Sequence, residues 1–212
     1  MSICYIIGAG DFSSLRTEPQ KGDLVIAADG GYNHLKKENI TPDIAIGDFD
    51  SLGEIPVGCE VIKLNPVKDI TDMHAAAEIG IARGYTSFQL YGACGGRFDH
   101  TFANVQLAAL MAEKGFEISI IDGDKTISAI SNGELKFSKR NSGYISVFSH
   151  SDLSTGVTIS GLRYTLDGAE LKNSFPLGVS NEFIGKRAEV EVKSGVLLLY
   201  WCGKVSDISI KN

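Results

Sequence analysis

A parallel α/β half followed by an antiparallel β half is the fold class predicted for this chain of 212 residues. Three observations predict it. Up to about residue 125, short apolar runs alternate with helical patterns, the signature of a parallel sheet with helices on its faces. Beyond that point the helical period almost vanishes, and short strand-like runs follow one another between turn residues. Charge changes at the same place. Residues 1–125 carry 10 Lys/Arg against 18 Asp/Glu, whereas residues 126–212 carry 10 against 8.

The strands expected in the first half are Ile3–Gly8, Leu24–Ala28, Ile44–Gly47, Glu60–Leu64, Phe88–Tyr91 and Ile118–Ile121. Each is short, apolar and bounded by Gly, Asp or Pro, as strands buried on both faces tend to be. Thr71 or Asp72 caps a helix with Met73, Ala76, Ala77, Gly80 and Ile81 on its apolar face, ending at Gly84. Asp99 is placed to cap a second helix, which carries Phe102, Val105 and Ala109 and ends at Gly115. In the second half the expected strands are Gly143–Ser149, Val157–Ser160, Ala169–Asn173, Glu182–Ile184, Ala188–Val192 and Val196–Trp201. Asp167-Gly168 and Ser194-Gly195 supply turns, and Ser131-Asn132-Gly133 falls near the junction.

Composition excludes several classes. Hydrophobic residues at 43% and charged residues at 22% exclude a disordered chain. The glycines follow no three-residue period, which excludes collagen-like structure. No uncharged apolar run reaches the roughly 18 residues of a membrane span. The N-terminus MSICYIIGAGD lacks the basic region of a secretory signal. Cys4, Cys59, Cys94 and Cys202 form no C-x-x-C pair, so neither a disulfide framework nor structural zinc is expected, and a reducing cytoplasm fits. Cys94 has no base beside it in sequence and is not read as a nucleophile. A net charge of −6, concentrated in the first half, argues against nucleic-acid binding.

Chemistry is expected at the carboxyl ends of the first-half strands, where open α/β sheets bind ligands. Four polar clusters follow those strands: Asp29-Gly30-Gly31, Asp48-Phe49-Asp50-Ser51, the stretch from Asn65 to Asp72, and the stretch from Gly92 to His100. If residues 48–50 are extended, Asp48 and Asp50 point to the same side, because side chains alternate with period two. Such a pair suits Mg²⁺, which takes one or two carboxylates together with substrate phosphates. Turn and cap duty would explain aspartates here too, but Asp29 and Asp72 on neighbouring loops favour the metal. Gly92, Gly95 and Gly96 allow close approach of backbone to phosphate, and Arg97 offers a bidentate fork. Asp99, taken alone, is read as a helix cap, and His100 as a local hydrogen-bonding group. No G-x-x-x-x-G-K-[ST] loop is present. Gly8-Ala9-Gly10 begins like a dinucleotide fingerprint, but Ser13 stands where its third glycine belongs. Trp201 ends an apolar strand and is expected in the core rather than against a ligand.

Five segments together resemble the thiamine pyrophosphokinase family: AADGGYNHL (27–35), PDIAIGDFDSL (42–52), PVKDITDMHAA (66–76), GACGGRFDHTFANV (92–105) and PLGVSNEF (176–183). They occur in order over essentially the whole chain. The resemblance implies a Rossmann-like, ATP-binding catalytic domain over residues 1–128 and a thiamine-binding antiparallel β-sandwich over residues 129–212. It implies transfer of the pyrophosphoryl group of ATP to the thiamine hydroxyl, giving thiamine diphosphate and AMP. Asp48, Asp50 and Asp72 would hold Mg²⁺ on the ATP phosphates, with Asp29 supporting the same acidic centre. Lys68 and Thr71 would touch phosphates, and Asp69 would lie in the same loop. Arg97 would bind phosphate, Asp99 would stand near the reacting hydroxyl or thiamine, and Ser180 would contact the thiamine pyrimidine. A homodimer with the site at the subunit interface, acting in the cytoplasm without nucleic-acid or membrane partners, completes that expectation. His74 follows the Thr-Asp pair where related sequences often have a small or acidic residue, and no role attaches to it.

Two other functions use the same residues. A metal-dependent phosphohydrolase would employ the aspartates without an acceptor alcohol. A nucleotide- or thiamine-binding module would bind without turnover, although so dense an acidic rim favours catalysis.

Overall fold

The computed structural model describes residues 2–50, 55–65, 69–203 and 208–212. The chain divides into two compact units, Met1–Leu107 with Ile120–Gly123, and Ala108–Ser119 with Asp124–Asn212. The architecture is mixed α/β, with a large sheet and a separate all-antiparallel sheet. No helix among the described residues is long and apolar enough to cross a membrane.

In the first unit β1 (Ile3–Ile7), β2 (Leu24–Ala28), α1 (Gly31–Lys37), β3 (Ile44–Gly47), β4 (Glu60–Lys63), α2 (Asp72–Ala82) and β5 (Ser87–Tyr91) follow in order. Next come α3 (Phe98–Glu113) and β6 (Glu117–Asp122), within which the division of the chain falls. The strands pair in parallel in the order β5-β1-β2-β3-β4. Apolar β-branched runs explain the central strands: β2 and β3 are buried at every position. From β1 the chain moves one way to β2, and from β4 it returns across the sheet to β5 on the other side of β1. Such a reversal opens a crevice at the strand ends.

Thr71 caps α2 as expected, its Oγ1 accepting the His74 N–H at 3.2 Å, with Asp72 in the first turn. Gly80 lets α2 lie close on the sheet, because a Cβ there would stand 2.6 Å from Phe88 Cε1 and 2.8 Å from Cys4 Sγ. Asp99 corrects one expectation. Helix α3 starts at Phe98, so Asp99 lies inside its first turn, and its carboxylate bonds Arg97 rather than capping the helix. Burial pushes the Cys4 thiol up to about 12, helped by the Asp43 carboxylate. Burial likewise pushes the Tyr91 hydroxyl up to about 12.

In the second unit the strands are β7 (Lys125–Ser131), β8 (Glu134–Arg140), β9 (Tyr144–Ser149), β10 (Leu153–Ser160), β11 (Leu166–Lys172), β12 (Gly178–Glu182), β13 (Lys186–Glu191), β14 (Val196–Cys202) and β15 (Ile208–Lys211). One antiparallel run is β12-β9-β14-β7; the separate sheet is β11-β10-β13-β8-β15. Inward residues of both, including Ile130, Phe137, Ile145, Val157, Val190 and Trp201, form one core. Trp201 is fully buried, edge-on to Phe137 at 5.3 Å between ring centroids, in agreement with the core role. The expected strand at Glu182–Ile184 lies a few residues earlier, as β12, with Phe183 instead forming an isolated bridge to Leu162.

Candidate active site

The crevice is a cavity of about 620 Å³ whose described lining residues all belong to the first unit. Gly8–Gly10 after β1, Asp29 after β2, Asp48 after β3 and Gly92–Arg97 after β5 reach it from strand ends. Thr71 and Asp72 reach it from the start of α2, and His100 and Asn104 from one face of α3. Five of the expected residues therefore meet on one lining: Asp29, Asp48, Thr71, Asp72 and Arg97.

Local backbone conformation aims these groups. Asp29 sits in the left-handed region at φ 47°, and its N–H donates to the Ile46 carbonyl at 2.8 Å. An aspartate tolerates this geometry better than most side chains, and it turns the chain sharply from β2 into α1. Phe49 is also left-handed, at φ 61°, and is nearly buried. The extended Asp48–Asp50 conformation is therefore corrected: the chain turns at Phe49, so the period-two argument fails there. Instead, the Asp50 N–H donates to Asp48 Oδ1 at 3.2 Å. Asp48 lines the cavity, whereas Asp50 is exposed and, among the described residues, outside the lining.

Arg97 lines the cavity while its guanidinium forks onto Asp99, Nε to Oδ1 at 3.2 Å and Nη2 to Oδ2 at 2.5 Å. That hydrogen-bonded pairing holds the Asp99 carboxyl below its usual range and raises Arg97. Both side chains are mostly exposed, so water and salt weaken the pair, and a phosphate can replace Asp99 on the fork at little cost. Asp69 is exposed and outside the lining, and Lys68 lies outside the described residues. Ser180 belongs to the second unit. It is exposed, left-handed at φ 60°, and stands on β12 where the register with β9 shifts; its N–H donates to Ser146 Oγ at 3.1 Å.

Two contributors escaped sequence reasoning. Asn104 is buried and donates from Nδ2 to the Ala93 carbonyl at 2.7 Å, tying α3 to the glycine-rich loop. Its signal was an amide on the apolar side of a helix, one turn beyond His100. The Gly8–Gly10 loop is the other, an incomplete fingerprint that nonetheless forms cavity wall. A Cβ at Gly10 would lie 2.2 Å from the Cys94 carbonyl oxygen, so only glycine permits the two loops to touch. Cys94 is buried and its carbonyl accepts the Asp11 N–H at 2.7 Å, consistent with a packing role.

Among the described residues, no group of three His, Cys, Asp or Glu side chains is placed to hold a metal ion by itself. The donor chemistry fits a different arrangement: one or two carboxylates from Asp29, Asp48 and Asp72, completed by phosphate oxygens of a ligand, as Mg²⁺ prefers.

Comparison with known proteins matches two successive stretches of the chain. The model of the thiamin pyrophosphokinase catalytic domain matches residues 15–120, and that of the thiamin pyrophosphokinase vitamin B1 binding domain matches residues 133–197. A thiamine pyrophosphokinase of Bacillus subtilis (strain 168) is 30% identical over 183 residues, 83% of this chain and 86% of that protein. Among solved structures, thiamine pyrophosphokinase from Bacillus subtilis has a TM-score of 0.86 at 27% identity, covering 96% of this chain and 100% of its own. The Geobacillus thermodenitrificans enzyme has a TM-score of 0.83 at 25% identity, covering 97% and 99%. The Candida albicans enzyme, at 16% identity and a TM-score of 0.75, shares the fold over 96% of this chain and 89% of its own. With both of its halves matched in order, the chain belongs to the thiamin pyrophosphokinase family.

Proposed function

We propose that this protein transfers the pyrophosphoryl group of ATP to the hydroxyl of thiamine. The hydroxyl oxygen bonds to the β-phosphorus and gives up its proton to Asp99 or another rim aspartate, the bond from that phosphorus to the α–β bridging oxygen breaks, and AMP leaves. The observation that carries the proposal is the single cavity where Asp29, Asp48, Asp72, Thr71 and Arg97 converge at strand ends.

Each residue has a definite task. Asp48 and Asp72 would hold Mg²⁺ on the phosphates, with Asp50 and Asp29 supporting the acidic centre. The metal, when bound, supplies neutralisation of phosphate charge. Arg97 leaves Asp99 for a phosphate oxygen, a fork suited to that contact. Thr71 offers its hydroxyl and the first turn of α2 to the phosphates, with Lys68 and Asp69 in the same loop. Asp99, released from Arg97, stands available to the hydroxyl or to thiamine. Ser180 contacts the pyrimidine; its exposure on an irregular strand is compatible with that duty. The cationic thiazolium is better tolerated beside carboxylates than beside further cations.

The functional boundary is placed between residues 128 and 129, separating a Rossmann-like ATP-binding domain from a thiamine-binding β-sandwich. The proposal also includes a homodimer with the site at the subunit interface, and a cytoplasmic location, where ATP and Mg²⁺ are at hand. Purified protein given ATP, Mg²⁺ and thiamine should release AMP and thiamine diphosphate in equal amounts. ADP as product, or phosphate release without thiamine, would contradict the proposal, the second result pointing to a phosphohydrolase.

A further inference from the structure

We propose that His34 is a positioning residue that fixes the Gly8–Gly10 loop as a backbone contact for the triphosphate; this rests on the reading that the cavity holds that ligand. Gly8, Ala9 and Gly10 all line the cavity. Three neighbouring N–H groups are already engaged: Gly8 to the Tyr91 carbonyl at 2.8 Å, Gly10 to Gly92 at 2.8 Å and Asp11 to Cys94 at 2.7 Å. Ala9 differs, because its N–H has no acceptor among the described residues. An exposed backbone donor on a cavity wall is what a phosphate oxygen takes up.

His34 holds this loop by its backbone. Its Nε2 lies 2.9 Å from the Gly10 carbonyl oxygen. A carbonyl only accepts, so Nε2 carries the proton and donates. The half-buried ring also stacks on Phe12, with centroids 5.1 Å apart and planes inclined by 26°. Gly31 sets the height of the ring, since a Cβ there would come within 1.8 Å of the Ile7 carbonyl oxygen and α1 could not seat on the end of β1. The Gly10–Asp11 peptide is thus gripped at both ends, its carbonyl by His34 and its N–H by Cys94. His34 itself is absent from the described cavity lining, so its effect passes through the loop.

The test uses the full chain with Mg²⁺, ATP and thiamine. His34→Phe keeps an aromatic ring against Phe12 but removes the donor, and His34→Gln supplies an amide donor in its place. His34→Phe should raise KM for ATP about five-fold, the size of one lost neutral hydrogen bond. It should change kcat and the thiamine KM less, and His34→Gln should recover most of the loss. The thermal midpoint of both variants should stay within about 2 °C of wild type. An unchanged ATP KM in His34→Phe overturns the proposal. So does a loss shared equally by both substrates with a lowered midpoint, or a Gln variant no better than Phe. Asp48→Asn in the same assay separates the underlying reading: full activity there removes the triphosphate from this cavity and the His34 role with it. An inactive Asp48→Asn beside a wild-type His34→Phe overturns the His34 role alone.

Discussion

Asp48 is aimed by a strained neighbour: Phe49, nearly buried and left-handed at φ 61°, turns the chain as it leaves β3. A bulky residue in that region costs about 1–3 kcal/mol, so its surroundings must hold it there. Asp48→Asn keeps the shape and removes a charge from the lining. Its kcat should fall at least about 100-fold with the folded structure retained, as measured by AMP release and circular dichroism. Arg97→Lys replaces a fork by a point charge and should lower kcat/KM for ATP about ten-fold or more. Wild-type kinetics in that variant would remove Arg97 from phosphate binding. The chemistry of these residues was legible in the sequence because aspartates and glycines fall just after apolar runs. Their conformations were not. Alternation along a strand assumes an extended backbone, and nothing in Asp48-Phe49-Asp50 announces a left-handed phenylalanine. Asp99 shows the same limit, since a helix-start aspartate reads as a cap until Arg97 is seen to claim it.

Among the elements, the parallel strands and α2 stand close to their expected bounds because burial on both faces leaves a continuous apolar run. Three strands and a helix were not anticipated. Helix α1 has only seven residues, too few to display a period, and Tyr32 and Leu35 are its large buried side chains. Strand β8 hides its alternation among charges, although Leu135 and Phe137 face inward while Lys136 is exposed. Strands β7 and β15 mix Ser, Thr and Lys with single isoleucines, a pattern that becomes a strand only when partners supply the ladder. The close seating of α2 is testable. Gly80→Ala would press a methyl group into Phe88 and Cys4 and should destabilise the protein by about 1–3 kcal/mol, read as a lower denaturant midpoint. Thr71→Ala should cost about 1 kcal/mol through the lost cap. Because Thr71 also lines the cavity, the ATP KM should rise as well, which a cap elsewhere would not cause.

At the scale of the whole molecule, buried neutral groups set the alkaline limit. Cys4, with an ordinary value of 9.0, and Tyr91, at 10.0, are both pushed up to about 12 by burial. The folded protein therefore keeps protons that the unfolded chain releases. Their contribution to stability is complete below about pH 9 and is lost as the pH rises from there through about 12. Chemical denaturation from pH 8 to 11 should show stability falling over that window. Cys4→Ala should flatten the fall, and an unaltered slope would show that Cys4 ionises as readily in the folded state as in the unfolded chain. The two-part plan and the division of charge were visible from composition and periodicity, whereas the strand order that opens the crevice between the ends of β1 and β5 is a property of the assembled sheet.

The most direct measurement is calorimetric titration of a non-hydrolysable ATP analogue into the full chain, with and without Mg²⁺, for wild type and Asp48→Asn. The account predicts Mg²⁺-dependent binding that weakens at least about ten-fold in the variant. Equal affinity in the two proteins, or binding indifferent to Mg²⁺, would contradict it.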